Sequence, residues 1–280
     1  MVNFDGRLIQ GSSDFLNHQN RAFKFGDAIF ERLRLISGKL VFWEDHYFRL
    51  ISSMRILRMK IPMEFTMEFF EQEISRLTTE NSAEANFEVH LFIFRKNSEG
   101  LSQGQNLVSY LIELKPLAET FYQIKSKPFE LELFKDYYIA PGLLSSLSSS
   151  NNLVLTVAEI FSKENDYDAC FLLNSNKSVI GTTKGNIFLV KENLVKTPQV
   201  SEGVKNTVIR KNVAGIFEKW DDYEFQQEPV SPFELQKADE LFVVDDILGI
   251  IPVSKYRKKE YSNEVAKKLV GRLNTLARLS

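Results

Sequence analysis

Hydrophobic spacing in this chain switches from strand-like alternation to helical spacing, and the switch recurs along its first half. Ile29–Ile36 alternates, Ser37-Gly38 supplies a turn and Lys39–Phe42 answers it, which is a hairpin pattern. From Asp45 the spacing lengthens, so Tyr47, Leu50, Ile51, Met54 and Leu57 fall on one helical face. Pro62 suits the first turn of a second helix, with Phe69, Phe70, Ile74 and Leu77 as its buried stripe. Phe87–Arg95 and Leu107–Leu114 are two β-rich runs separated by a Gly/Ser/Asn/Gln loop, a second antiparallel pair. The pattern predicts an α/β (α+β) fold.

At about 100–200 residues per domain, 280 residues predict two. Prolines and polar residues interrupt the periodicity between Lys115-Pro116 and Lys127-Pro128. That places an N-terminal domain over 1–114, a linker over 115–127 and a C-terminal domain over 128–280. The second domain begins with a strand, Phe129–Phe134, followed by a serine cluster at 145–150, whose plainest role is a loop with side-chain hydrogen bonds to the backbone. Helices are expected over Asn152–Lys163, Gly203–Glu218 and Asn263–Leu279, the last with Leu269, Leu273 and Leu276 on one face. Strands are expected at Ala169–Leu173, Ile187–Val190 and Glu240–Val244.

Composition enters by what it excludes. Lys plus Arg number 35 and Asp plus Glu 37, a net charge of −2 that argues against nucleic acid or a membrane as partner. Three histidines and one cysteine cannot build a structural zinc site, and no metal is expected. Lone Cys170 cannot close an internal disulfide and reads as a small core residue. Neither GxGxxG nor GxxxxGK[ST] occurs. The Met1–Arg7 segment carries an acid and no apolar core, and no apolar run approaches the ~18 residues of a membrane span. A soluble, cytoplasmic protein is the expectation.

Several segments, taken in order, resemble the fold-type IV pyridoxal-phosphate family of class IV aminotransferases (branched-chain and D-amino acid) and aminodeoxychorismate lyases. They are Phe25–Glu31 (FGDAIFE), Trp43–Leu50 (WEDHYFRL), Asn186–Val190 (NIFLV), Thr197-Pro198 leading to Ser201-Glu202-Gly203, Ala238–Phe242 (ADELF) and Gly249–Val253 (GIIPV). The resemblance implies two α/β domains with a cofactor cleft between them, a homodimer, and pyridoxal 5'-phosphate as cofactor.

That chemistry needs a lysine to form an imine, a carboxylate to keep the pyridine nitrogen protonated, and amides, hydroxyls and an arginine to hold the phosphate. The family's lysine position, in a pattern like Leu-Lys-x-x-Asn, falls on Ser148 of Leu147–Asn151. No lysine occurs between Lys135 and Lys163, so the absence holds in any register. The family's glutamate position falls on Gly181, and no Asp or Glu occurs between Asp168 and Glu192. The phosphate turn, usually Gly-[Ile/Val]-[Thr/Met]-Arg, reads Thr207-Val208-Ile209-Arg210, which puts Ile209 where a hydroxyl is common. The second phosphate segment, often Ser-Thr or Thr-Asn, reads Val244-Asp245-Asp246. A carboxylate ~4 Å from a phosphate charge would repel it by about 4 kcal/mol at an effective dielectric of ~20. Arg49 alone keeps its phosphate-binding identity.

Individual residues carry more than one reading. Arg49 is a helix-surface arginine, a structural arginine paired with Asp27 or Glu31, or a residual anion site. Lys184 is a solvated loop lysine, a cation paired with Asp245 or Asp246, or a relocated imine lysine. Asp245 and Asp246 either cap a turn in solvent or act as acid–base groups or metal ligands beside Asp27 and Glu31. His46 is a capping or packing residue, and Phe30 and Glu31 are expected to line the cleft. Three functional expectations follow. The first is a catalytically degenerate family member that binds a small anionic ligand or serves as a partner subunit. The second is an active transaminase or lyase using Lys184. The third is a cofactor-independent enzyme using Asp245 and Asp246.

Overall fold

Two antiparallel strand pairs, joined side by side, supply four of the six strands of the first sheet. The computed structural model describes residues 1–11, 16–81, 86–97 and 106–280. Its chain divides into a first unit of Met1–Thr120, Ser148–Asn151 and Ser280, and a second of Phe121–Leu147 and Asn152–Leu279.

The first unit contains β1 (Val2–Phe4), β2 (Arg7–Ile9), α1 (Arg21–Phe25), β3 (Ala28–Ile36), β4 (Lys39–Leu40), α2 (Trp43–Ile56), α3 (Met67–Glu80), β5 (Asn86–Arg95) and β6 (Val108–Pro116). The sheet order is β2-β1-β6-β5-β3-β4, and every pairing is antiparallel. Alternation puts Ile29, Leu33, Leu35, Val89, Leu91 and Ile112 into one core with Leu50 and Met54 of α2 and Phe70 and Ile74 of α3. The second helix starts later than the proline pattern predicts. Thr66, not Pro62, begins it: the Thr66 backbone is extended and its Oγ1 accepts the Phe69 N–H at 3.2 Å. Most of the expected Gly/Ser/Asn/Gln loop between β5 and β6 lies outside the described residues.

β4 pairs only with the Leu35–Ile36 end of β3. The other end is completed by the serine cluster: the Phe30 N–H donates to the Ser148 carbonyl, and the Ser150 N–H to the Ala28 carbonyl, both at 2.9 Å. Backbone groups of a buried strand need such partners, and this pairing is what carries Ser148 into the first unit. The preceding serines behave as local hydrogen-bonders, with Ser145 and Ser146 bonding back to Gly142 and Leu143 across a single 3₁₀ turn.

The second unit runs β7 (Glu130–Leu133), α4 (Leu153–Glu164), β8 (Ala169–Leu173), β9 (Val179–Thr182), β10 (Asn186–Lys191), β11 (Leu194–Thr197), α5 (Val208–Phe217), β12 (Glu224–Gln227), α6 (Pro232–Lys237), β13 (Glu240–Asp245), β14 (Gly249–Pro252), β15 (Lys255–Tyr256), β16 (Lys259–Glu260) and α7 (Glu264–Leu279). Two five-stranded sheets form, ordered β12-β11-β10-β13-β14 and β16-β15-β7-β8-β9. Leu131, Phe171 and Val179 of one share a core with Leu189, Leu241 and Val243 of the other. On the opposite side of β8, Cys170 and Leu172 pack with Ala158 and Phe161 of α4. The helix expected from Gly203 begins instead at its Thr207 cap, and Gly203 itself has φ +99°, a left-handed conformation that L side chains rarely adopt. No helix among the described residues is long and apolar enough to cross a membrane.

Candidate functional site

Glu31 of β3 lies on the face that packs against α2, and its side chain is 2% exposed. A buried carboxylate requires partners, and α2 supplies both. His46 Nδ1 lies 2.8 Å from one oxygen, and Arg49 Nη1 donates to the other at 2.6 Å. The Arg49 guanidinium also donates from Nη2 to Ser148 Oγ at 2.6 Å. Arg49 is therefore ion-paired with Glu31, while Asp27 is held by Arg21 at 2.8 Å and by Arg95. His46 is a buried packing residue on Glu31, not a cap. Phe30 is half-buried, with its ring centroid 5.7 Å from that of Phe92.

In the second unit the structure brings together the two segments that the resemblance assigns to the phosphate. Thr207 caps α5, its Oγ1 accepting the Arg210 N–H at 3.3 Å and donating to Asn186 Oδ1 at 2.6 Å. The next orphan amide of that helix, the Ile209 N–H, donates to Asp246 Oδ1 at 2.8 Å. Asp245 caps its own turn, with Oδ1 accepting the Ile247 and Leu248 N–H groups at 3.0 and 2.9 Å. Arg210, 3% exposed, is held by the Pro198 carbonyl and Gln227 Oε1, and burial lowers its pKa.

Lys184 stands in the β9–β10 turn and pairs with Glu159 of α4 at 2.9 Å, not with Asp245 or Asp246. The reason is the packing of that turn. Thr183 bonds Cys170 of β8 through backbone and side chain, and α4 lies over Cys170, which brings Lys184 to the helix. Gly181 is buried in β9 at φ +152°, and a Cβ there would fall 3.1 Å from the Gly185 carbonyl oxygen. Cys170 is fully buried, and burial pushes its thiol up to about 12. Among the described residues no group of three or more His, Cys, Asp or Glu side chains could hold a metal ion.

Three residues make contacts that the sequence pattern does not announce. Glu159 could not be found from local pattern, because its partner is reached through tertiary packing. Thr207 carried a usable signal, a threonine directly before an apolar helical stripe. Glu240 of β13 was read only as a strand residue, yet it accepts the Val265 and Ala266 N–H groups of α7 at 2.9 and 2.7 Å.

Residues 28–256 match the amino-transferase class IV family. The chain belongs to this family. A probable branched-chain-amino-acid aminotransferase from Aquifex aeolicus is 22% identical over 274 residues, 93% of this chain and 85% of that protein. An aminodeoxychorismate lyase from Vibrio harveyi is 24% identical over 263 residues, 91% of this chain and 94% of that one. The branched-chain amino acid aminotransferase of Thermobaculum terrenum, solved in its PLP form, matches with a TM-score of 0.85 at 19% identity, covering 100% of this chain and 94% of its own. The class IV chain has the fold-type IV fold, and its family is one of pyridoxal-phosphate enzymes. Within this class IV member, position 148 holds a hydroxyl already bonded to Arg49, and position 181 holds no side chain.

Proposed function

We propose that this protein is a class IV aminotransferase- and aminodeoxychorismate lyase-like chain that has lost imine chemistry and acts by binding a small anionic ligand or as a partner subunit. The observation that carries the reading is the Arg49–Ser148 hydrogen bond at 2.6 Å. A serine hydroxyl cannot condense with an aldehyde to an imine, and here it also takes one arm of the arginine the family uses for phosphate. With Gly181 in place of the carboxylate, a bound pyridine would lack the group that keeps its nitrogen protonated. The residues present do not fit imine-linked pyridoxal phosphate, and no reaction step is derived through it.

Lys184 is a poor substitute amine. Its Nζ is engaged by the Glu159 carboxylate at 2.9 Å, whereas imine formation needs an amine free to attack a carbonyl. Asp245 and Asp246 both accept backbone amides, which supports a structural role for each. We extend the reading to a homodimer, the state typical of the family; exposed Leu143, Leu144 and Leu153 supply apolar surface for an interface. Buried, unpaired Cys170 suits a cytoplasmic setting.

The test is the visible absorption of the purified protein incubated with pyridoxal phosphate, followed by borohydride reduction and peptide mapping. No imine band and no modified lysine at a unique position are expected. A stable band trapped on one lysine would overturn the reading.

A further inference from the structure

The turn that carries Asp246 is held by its surroundings from several sides. Its neighbour Asp245 fixes the turn through two backbone amides. Tyr122 donates its hydroxyl to the Asp246 carbonyl at 3.0 Å. The Tyr122 ring covers Gly249, which has φ +74° and where a Cβ would fall 2.5 Å from ring carbon Cδ1. Tyr122 is in turn anchored by Asn274 of α7, through its N–H and its carbonyl, each at 2.9 Å. The turn that ends β13 therefore presents one carboxylate oxygen to the Ile209 N–H, one of the amides that α5 leaves unpaired.

We propose that Asp246 is the resident anion of the α5 N-terminus, a side-chain replacement for the phosphate that the family resemblance places there. This deepens the reading of a chain without imine chemistry and rests on it for the identity of the displaced group. A helix N-terminus carries roughly half a positive charge, and a carboxylate in contact with it supplies the neutralising charge. A phosphate approaching the same amide would meet that carboxylate at contact distance and be repelled. The chain thus stabilises this end of α5 with no phosphorylated ligand, and it gains nothing from one.

The experiment uses the full chain as wild type, Asp246→Thr and Asp246→Asn, with inorganic phosphate as the probe at matched ionic strength. Two quantities are read: the thermal midpoint in phosphate against chloride, and the amide resonance of Ile209 during titration. Wild type should show no phosphate-specific rise in midpoint and a silent Ile209 amide. Asp246→Thr should melt lower in chloride, recover in phosphate, and bind phosphate at least about tenfold more tightly than wild type, with Ile209 titrating. Asp246→Asn keeps the size and one neutral acceptor, so it serves if the threonine variant does not fold, with the same direction expected. A wild-type Ile209 amide that titrates with phosphate, or variants no more responsive than wild type, would overturn the proposal. The two readings fail separately. A lysine trapped by borohydride beside a silent Ile209 amide would remove the degenerate reading and leave Asp246 as the resident anion. A responsive amide with no imine would do the reverse.

Discussion

Glu240, the first residue of β13, and Asp246, one past its last, each accept backbone N–H groups at the N-terminus of a helix, α7 and α5. Glu240 is 1% exposed and accepts the Val265 and Ala266 amides; Asp246 is half-buried and accepts the Ile209 amide. Burial raises the Glu240 pKa even though both amides pull it down. The difference separates two uses of one device. At α7 the carboxylate joins a helix to a sheet inside a closed core, where neither water nor ligand could replace it. At α5 it stands where an outside anion could substitute. Only the second is a place where loss of a ligand and gain of a side chain are interchangeable.

Breaking the common support should have the largest effect. Gly185 lies so close to β13 that a Cβ would fall 2.2 Å from the Val244 carbonyl oxygen and 3.1 Å from Val243 Cγ1. Backbone cannot yield as a flexible side chain would, so Gly185→Ala should destabilise by about 3 kcal/mol or more. The displaced end of β13 is the one that bears Asp246. Hydrogen exchange should therefore quicken at the start of α5 more than at the start of α7. Equal acceleration at both helices would show that the ends of β13 are not independent.

Glu240→Ala should come next. It leaves two buried amides without acceptors, for a loss of about 3 kcal/mol in a denaturant titration. Glu240→Gln should lose only about 1 kcal/mol, because burial already disfavours the charge and the amide keeps one acceptor. A glutamine variant as unstable as the alanine variant would mean that the charge itself is needed, and the contrast with Asp246 would collapse.

How far the sequence anticipates all this depends on range. The β3–β4 and β5–β6 pairs, and α2, α4 and α7, announce themselves because period and burial agree within a few residues. The short strands β11, β12 and β14 to β16 carry too few residues to show a period, and they form because neighbours supply their hydrogen bonds. The late starts of α3 and α5 are lessons in capping: Thr66 and Thr207 outrank a proline and a glycine that merely permit a turn. At the site, that position 148 carries a hydroxyl and not an amine can be read from residue type alone, since no packing changes it. What replaces it cannot. That Arg49 reaches Ser148, Lys184 reaches Glu159 and Asp246 reaches Ile209 depends on contacts between residues 25 to 99 positions apart.

A carboxylate that uses cations rather than amides sharpens the comparison further. Burial would raise the Glu88 carboxyl, yet the His90 hydrogen bond and the Arg32 and His90 charges overcome it and hold the group at about 2. Its folded value lies below its unfolded one, so its contribution is present above about pH 4.5 and is lost as pH falls toward 2. Glu240, shifted the other way, contributes nothing to that acid limb. Glu88→Gln should flatten the fall in unfolding free energy across this window, and Glu240→Gln should leave it in place.

The smallest effect is expected at Lys184. Its side chain is 38% exposed and that of Glu159 26%, so the pair sits in water-accessible surroundings where such contacts contribute about 0–1 kcal/mol. Lys184→Met should therefore change stability by less than about 0.5 kcal/mol, since the methionine removes the charge and keeps a side chain of similar length. The same variant decides whether the family's amine has moved to this turn. If Lys184 had taken over imine formation, the variant would lose any visible absorption that pyridoxal phosphate produces with wild type. Its ion pair predicts the opposite: identical spectra for variant and wild type. A spectral difference would return imine chemistry to the second unit and overturn the proposed loss of it, whatever the Ile209 amide shows.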